Sequence, residues 1–415
     1  MKRALLALAA VVVLAVLGAG LAYYLHVKHA SRNIKGSSTV EFVTTQTAPP
    51  PPPEPGIAWP YYGYDSERLR FLNGSTLAPP FHRVWTFHAR NLVEFPPAVG
   101  YGRLFFANNE GVLFAIGVRN GRKAWDYVSH RCVAASPALD RHVVYMVFMN
   151  RPPCNRSGDK LTGEVAAFAV GTGRVIWRRT IGPSESSPVV VGGTVFTGDW
   201  NGRVWALRRK TGKPYWVTKL SGQVKGGVAI SGNRLYVGDY SGHVYALSAT
   251  SGKVLWQAKS QPRFGSSGTF YATPAVAYGR VYVGATDGKM YSFGAASGKL
   301  RWSYGTGGYV YSSAAVWHDR VFVGSYSHTF FCFDAATGAV KWQYEANGPI
   351  SGSPTVIVGR VYFATLKRQT YALDARTGRP LWTFPDGKYS PVVADDTRVY
   401  LIGYAKVYGL VEQRR

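Results

Sequence analysis

Seven glycines in this chain are each followed four residues later by a tryptophan: Gly121/Trp125, Gly173/Trp177, Gly212/Trp216, Gly252/Trp256, Gly298/Trp302, Gly338/Trp342 and Gly378/Trp382. Trp85 stands 40 residues before the first of these tryptophans, and the later intervals are 52, 39, 40, 46, 40 and 40. A period near 40 is the size of one four-stranded propeller blade, so the repeat constrains the fold before any other signal is read.

Within each unit, short runs rich in Val, Tyr, Phe and Trp are separated by Gly and Asp-Gly turn signals, and none has helical period. The unit 273–302 reads as four strands in this way. Such a sheet cannot bury both faces alone and must stack on neighbours around a ring. The starts of the inner strands give an independent count: Pro96-Pro97, Ser136-Pro137, Ser187-Pro188, Gly227-Val228, Thr273-Pro274, Ser313-Ala314, Ser353-Pro354 and Ser390-Pro391. The last unit, 390–411, has no tryptophan of its own, and the segment around Trp85 is its missing outer strand. The expectation is an all-β, eight-bladed propeller closed by pairing its N- and C-terminal strands, which removes exposed sheet ends. Seven blades is the alternative if the first unit is degenerate.

Residues 372–382 carry Ala372, Asp374, Thr377, Gly378 and Trp382, and 332–342 repeats this with Cys332 in the alanine position; the copies at Ala206/Trp216 and Ala246/Trp256 lack the aspartate. This pattern resembles the tryptophan-docking motif of quinoprotein-type (PQQ-like) repeat propellers. The resemblance covers about 80–411, and it implies that Trp85, Trp125, Trp177, Trp216, Trp256, Trp302, Trp342 and Trp382 are structural, each closing the gap between blades. Quinoprotein dehydrogenases of this family add an adjacent cysteine pair, calcium ligands and an aspartate base around pyrroloquinoline quinone (PQQ). The three cysteines here, Cys132, Cys154 and Cys332, include no adjacent pair. The resemblance is therefore nearest to the non-enzymatic, BamB-like propellers of envelope assembly, with no catalytic, metal or cofactor residue assigned. A PQQ-dependent dehydrogenase using calcium is the alternative.

Four segments follow from composition. Residues 1–36 hold an uncharged run, 4–25, long enough to span a hydrocarbon core of about 30 Å and longer than a usual cleavable signal. Lys2 and Arg3 before it match Lys28, Arg32 and Lys35 after it, so loop charge does not orient it. Residues 37–57, with prolines from Pro49 to Pro53, read as a disordered, extended spacer able to hold the propeller up to about 60 Å from the bilayer. Residues 58–79 read as an irregular strap, and 80–415 as the propeller. The run ends without a lipidation cysteine, which favours a single-pass membrane anchor with the propeller outside the cytoplasm.

Cys132 and Cys154 flank the insertion in the one overlong unit, and a disulfide between them would fit an oxidising compartment. Lys and Arg exceed Asp and Glu by 26. These basic residues are spread through nearly every blade, which fits anionic lipid or a wall polymer better than nucleic acid. Asp199, Asp239 and Asp287 recur in successive turns, where aspartate bonds its own backbone. His243, His318 and His328 sit at strand ends or turns without ligand spacing. Glu185, Glu345 and Asp386 are the acids placed near the tunnel mouth, and a catalytic reading needs two of them to converge. The loops 257–271 and 303–311, long and rich in Gly, Ser and aromatics, are the expected binding rim. The function expected is a membrane-tethered scaffold or ligand-sensing domain with a protein partner in the envelope.

Overall fold

The computed structural model describes residues 2–44, 54–72, 75–154, 158, 160–263, 267–390 and 392–413. After a helix, α1 (Lys2–Ala30), the chain forms eight antiparallel sheets in succession. Blade 5 is typical, with strands Ala275–Ala277, Arg280–Gly284, Lys289–Gly294 and Leu300–Gly305 from the tunnel outward. Blade 8 is completed by the N-terminal strand Phe81–His88, which pairs antiparallel with Lys406–Glu412 and so closes the ring, as the position of Trp85 predicts. Blades alternate strand direction. Connections from second to third and from fourth to next first strand therefore share one face of the disc, and the remaining turns share the other.

The spacing between glycine and tryptophan has a geometric cause that lies between blades rather than within one. Each indole packs on the glycine of the next blade: a Cβ on Gly298 would stand 2.7 Å from the Trp256 ring, and Gly298 also holds a φ of +69° that favours glycine. The same contact joins Trp85 to Gly121, Trp125 to Gly173, Trp177 to Gly212, Trp216 to Gly252, Trp302 to Gly338 and Trp342 to Gly378. The indole N–H donates to a backbone carbonyl of that next blade, as in Trp256 to Ala295 at 3.0 Å and Trp302 to Ala335 at 3.0 Å. Trp382 packs edge-on against Phe81 of blade 8. Around the tunnel the small residues bond sideways: Ser187 Oγ accepts from Ser136 N, Thr273 Oγ1 from Gly227 N, Ser313 Oγ from Thr273 N, and Ser353 Oγ from Ser313 N. These hydroxyls tie converging strands together.

A strap closes one face. Ile57–Trp59 adds to the inner edge of blade 1 and Phe71–Leu72 runs parallel to the inner strand of blade 7. Between them, carbonyls of Pro60, Ser66, Glu67, Leu69 and Arg70 accept the amides of Leu139, Ile230, Val276, Val316 and Val356 in turn. Arg68, fully buried, donates to the carbonyls of Ser187, Pro188 and Val228, supplying charge-assisted bonds to inner-strand acceptors. Burial pulls its pKa down to about 10 and pushes that of Asp65 up to about 7.

The extended spacer expected from Ser37 does not begin there. Residues 34–43 run from the outer strand of blade 5 across to its inner turn: Ile34 and Ser303 exchange both backbone hydrogen bonds, Gly36 N donates to Thr337 O in blade 6, and Val43 N donates to Tyr278 O between the two inner strands. The buried Arg280 guanidinium donates to the carbonyls of Ser37, Val40 and Glu41. The Glu41 carboxylate accepts from Ala296 N, Ser297 N, Ser297 Oγ and Arg301. An open sheet edge and two arginines hold a segment whose composition reads as linker. The end of α1 is also held, because Gln261 Nε2 donates to Ala30 O and Arg32 O, and Lys289 donates to Ser31 O. The proline run 49–53 lies outside the described residues.

Cys132 and Cys154 are joined by a disulfide, packed with Met149 and Trp200. Cys332 is buried in blade 6 opposite Trp342.

Candidate functional site

The strap leaves the tunnel open on one face only. The residues two places before the inner-strand openings are Glu94, Ala134, Glu185, Lys225, Tyr271, Tyr311, Ser351 and Lys388 in chain order, and Glu94, Tyr271, Tyr311 and Ser351 line the mouth. Blades otherwise built alike thus carry unlike chemistry at one register position. A cavity of about 240 Å³ lies here, lined by Tyr62 of the strap and by Glu94, Phe95, Tyr271, Tyr311, Tyr326, Ser351, Gly352, Ser353, Tyr389 and Ser390. Tyr62 reaches through from the strap, its hydroxyl 2.7 Å from Ser353 Oγ, and forms the floor.

The aromatic rings stand mostly at steep angles to one another. Tyr271 and Tyr311 meet edge to face at 5.4 Å and 85°, Tyr311 and Tyr326 at 5.2 Å and 63°, and Tyr62 and Phe95 at 5.4 Å and 61°. Two carboxyls belong to this mouth. Glu185, 8% exposed, accepts from Tyr271 Oη at 3.1 Å and pairs with Lys225 Nζ at 3.5 Å. That ammonium also stands 4.2 Å from the Trp200 ring centre and 4.7 Å from that of Tyr240. Glu94 is half-buried, and among the described residues its carboxylate accepts one long bond, from Asn109 Nδ2 at 3.3 Å. Desolvation, reinforced by the Glu185 charge, pushes its pKa up to about 7 against the opposing effects of Asn109 and Lys388. Burial likewise raises Glu185, with Lys225 opposing.

Of the three acids singled out by sequence, only Glu185 sits at the tunnel. Glu345 is exposed on the outer strand of blade 6, accepting from Thr329 Oγ1. Asp386 is buried in the connection from blade 7 to blade 8, where it accepts from Tyr408 Oη at 2.7 Å and Gly387 N at 2.9 Å and pairs with Arg368 at 3.3 Å. Glu94 was missed, and so were the tyrosines. Comparison of the residue two before each opening pair would have found Glu94, Tyr271 and Tyr311. Loops 257–271 and 303–311 do reach the mouth, through Tyr271 and Tyr311, with 264–266 outside the described residues. Asp199, Asp239 and Asp287 bond their own turns, for example Asp239 Oδ1 with the amides of Ser241 and His243.

A calcium-bound quinone does not fit this donor set. The cysteines lie in blade 2 and blade 6 rather than over the mouth, Glu185 is committed to Lys225 and Tyr271, and no group of three His, Cys, Asp or Glu is placed to hold a metal among the described residues.

Comparison with known proteins places this geometry. Residues 161–308 and 305–413 match the family described as outer membrane protein assembly factor BamB. The BamB of Vibrio cholerae serotype O1 is 26% identical over 134 residues, 29% of this chain; the match spans 32% of that protein's length. The crystal structure of BamB from Moraxella catarrhalis superposes with a TM-score of 0.66 at 15% identity, covering 80% of this chain and 99% of that one. A europium-containing methanol dehydrogenase superposes with a TM-score of 0.73 at 13% identity, covering 86% and 98%. At such identities the structural likenesses speak for the fold alone.

Proposed function

Because the chain belongs to the family of the outer membrane protein assembly factor BamB, we propose that it is a membrane-tethered envelope propeller that acts as a scaffold for other envelope proteins. Helix α1, whose stretch Leu8–Ala30 is long and apolar enough to cross a bilayer, is the anchor in this reading, with the propeller outside the cytoplasm. The disulfide fits that compartment, and the net charge of +26 would draw the disc toward anionic lipid or wall polymer.

The observation that carries the scaffold role is the outer rim of blades 1–4. Val128, Ile176, Tyr215, Val217, Val254 and Leu255 are exposed on four consecutive outermost strands. An outermost strand offers unpaired backbone groups, and apolar side chains on it suit strand addition by a partner. The outer strand of blade 5 already pairs with this same chain at one bridge, Ile34 with Ser303. Photo-crosslinking residues placed at Val217 and Leu255 in native membranes should give discrete protein adducts, and one at Ser303, which pairs with Ile34, should not. Absence of adducts from blades 3 and 4 would remove the scaffold reading.

A quinone-dependent dehydrogenase is the alternative that the repeat motif raised, and the donor set at the mouth speaks against it. Calorimetric titration of the full chain with pyrroloquinoline quinone and calcium separates the two: no saturable heat is expected, and tight one-to-one binding would restore the enzyme.

A further inference from the structure

The closed-ended tunnel has the walls of a cage. Its aromatic rings meet edge to face, so they surround a volume and do not offer one flat platform of the kind a sugar ring stacks on. Ring faces are electron-rich, and several of them turned on one volume favour a cation. The same mouth contains a worked instance of that chemistry. A third of the way around the ring, an ammonium, Lys225 Nζ, lies between the faces of Trp200 and Tyr240 with the Glu185 carboxylate 3.5 Å away. On the other side, Lys388 Nζ stands 5.1 Å from the Tyr389 ring centre and 4.9 Å from that of Tyr404. Glu94 sits between these two arrangements. Tyrosines line the same cavity, and among the described residues the Glu94 carboxyl accepts one bond, from the neutral Asn109 amide, with the Lys388 charge acting on it without an ion pair.

We propose that the Glu94 side of this cavity binds an organic ammonium group, its carbon substituents against Tyr311, Tyr326 and Tyr389 and its charge opposed by Glu94. The site has a defined outlook. Tyr326 is shared with a neighbouring groove of about 520 Å³ that also includes Arg263, Lys289 and Tyr309. Lys289 and Gln261, on the same face, hold the end of α1. The mouth therefore opens on the face from which the membrane-spanning candidate emerges, within reach of phospholipid headgroups as well as of free amines. Lys388, the cation whose charge acts on Glu94, is held over Tyr389 and Tyr404 outside the lining, and Arg70 lies behind the Tyr62 ring at 3.9 Å.

The test is a titration of the full chain, in a maltoside detergent, with tetramethylammonium and with the uncharged 3,3-dimethylbutanol, whose tert-butyl group has the shape of a trimethylammonium group. Saturable binding of the cation and none of the alcohol is expected, with at least tenfold weaker binding in Glu94→Gln and in Tyr326→Leu. Equal binding of both probes, or unchanged affinity in both variants, overturns the proposal. If Glu94→Gln fails to fold, Tyr326→Leu, at a half-exposed position, decides it. Competition then separates the sources: displacement by phosphatidylcholine vesicles assigns a lipid headgroup, and displacement by free choline alone assigns a soluble amine. Binding should also strengthen as pH rises through 7, because Glu94 must ionise; Glu185, Lys388, Tyr62, Tyr271, Tyr311, Tyr326 and Tyr389 are the charged and titratable groups of the same mouth, and burial holds Tyr271, Tyr311 and Tyr389 above the ordinary tyrosine range. A pH-independent affinity would place the cation elsewhere.

Discussion

Trp256 and Trp302 hold the same position in adjacent blades, yet one is half-buried and the other has no exposed surface. The blade itself is not the reason, since both indoles pack on the next blade's glycine and donate to its backbone. What differs is the cover. Ile34 pairs with the outer strand of blade 5 and Gly36 sits against Trp302, whereas Val254 and Leu255 on the outer strand of blade 4 are 38% and 46% exposed. The covered edge has Arg280 and Arg301 where a carboxylate and three carbonyls can meet them. The comparison teaches that a propeller edge is a general acceptor of extended chain, and that charge placement decides which edge is taken.

The largest effect should come from the tryptophans themselves. Trp302→Ala should cost about 3–5 kcal/mol and Trp256→Ala about half as much, read from denaturant midpoints; equal losses would mean that the cover adds nothing. Next, Glu41→Ala should cost about 1–3 kcal/mol and release hydrogen-exchange protection in 34–43 while leaving blade 4 unchanged. Gly36→Ala should release the same segment, since its Cβ would meet Ala336 O at 2.5 Å.

Acid should do more gently what the mutation does. Burial alone would raise the Glu41 pKa, but hydrogen bonds from Ser297 and Arg301 and the guanidinium charge hold it below its ordinary 4.5. A depressed carboxyl contributes stability that is present above 4.5 and lost as pH falls through the lower folded value. Exchange protection of 34–43 should therefore fade on acidification below that point, with no matching change at 254–259, a strand without an acid. The smallest effect on stability belongs to Leu255→Lys, within about 0.5 kcal/mol, and its signature would be the loss of blade 4 crosslinks instead.

The ring was legible because its signal is periodic: tryptophan, glycine and inner-strand pairs each return about every 40 residues, and the placement of Trp85 as closing strand follows from counting. The mouth was less legible for the opposite reason. Glu94, Glu185, Lys225 and Tyr271 occupy one register position but differ from blade to blade, so a search for shared residues passes over them. Glu345 and Asp386 were drawn in by charge and loop position, and only the direction of the strand shows one turned to solvent and the other to Tyr408. Residues 34–43 have neither period nor apolar run, and their order comes from partners more than 230 residues away, such as Arg280 and Arg301.

The strap has a consequence for how the molecule comes into being. It leaves the ribosome before any blade, and its last strand pairs with blade 7, nearly 300 residues later. Threaded amide by amide around the inner rim, it works as a drawstring that cannot be pulled tight until almost the whole chain exists. Truncated products would carry a loose cord and an open ring, and the cell would meet them as clients for proteolysis rather than as smaller propellers.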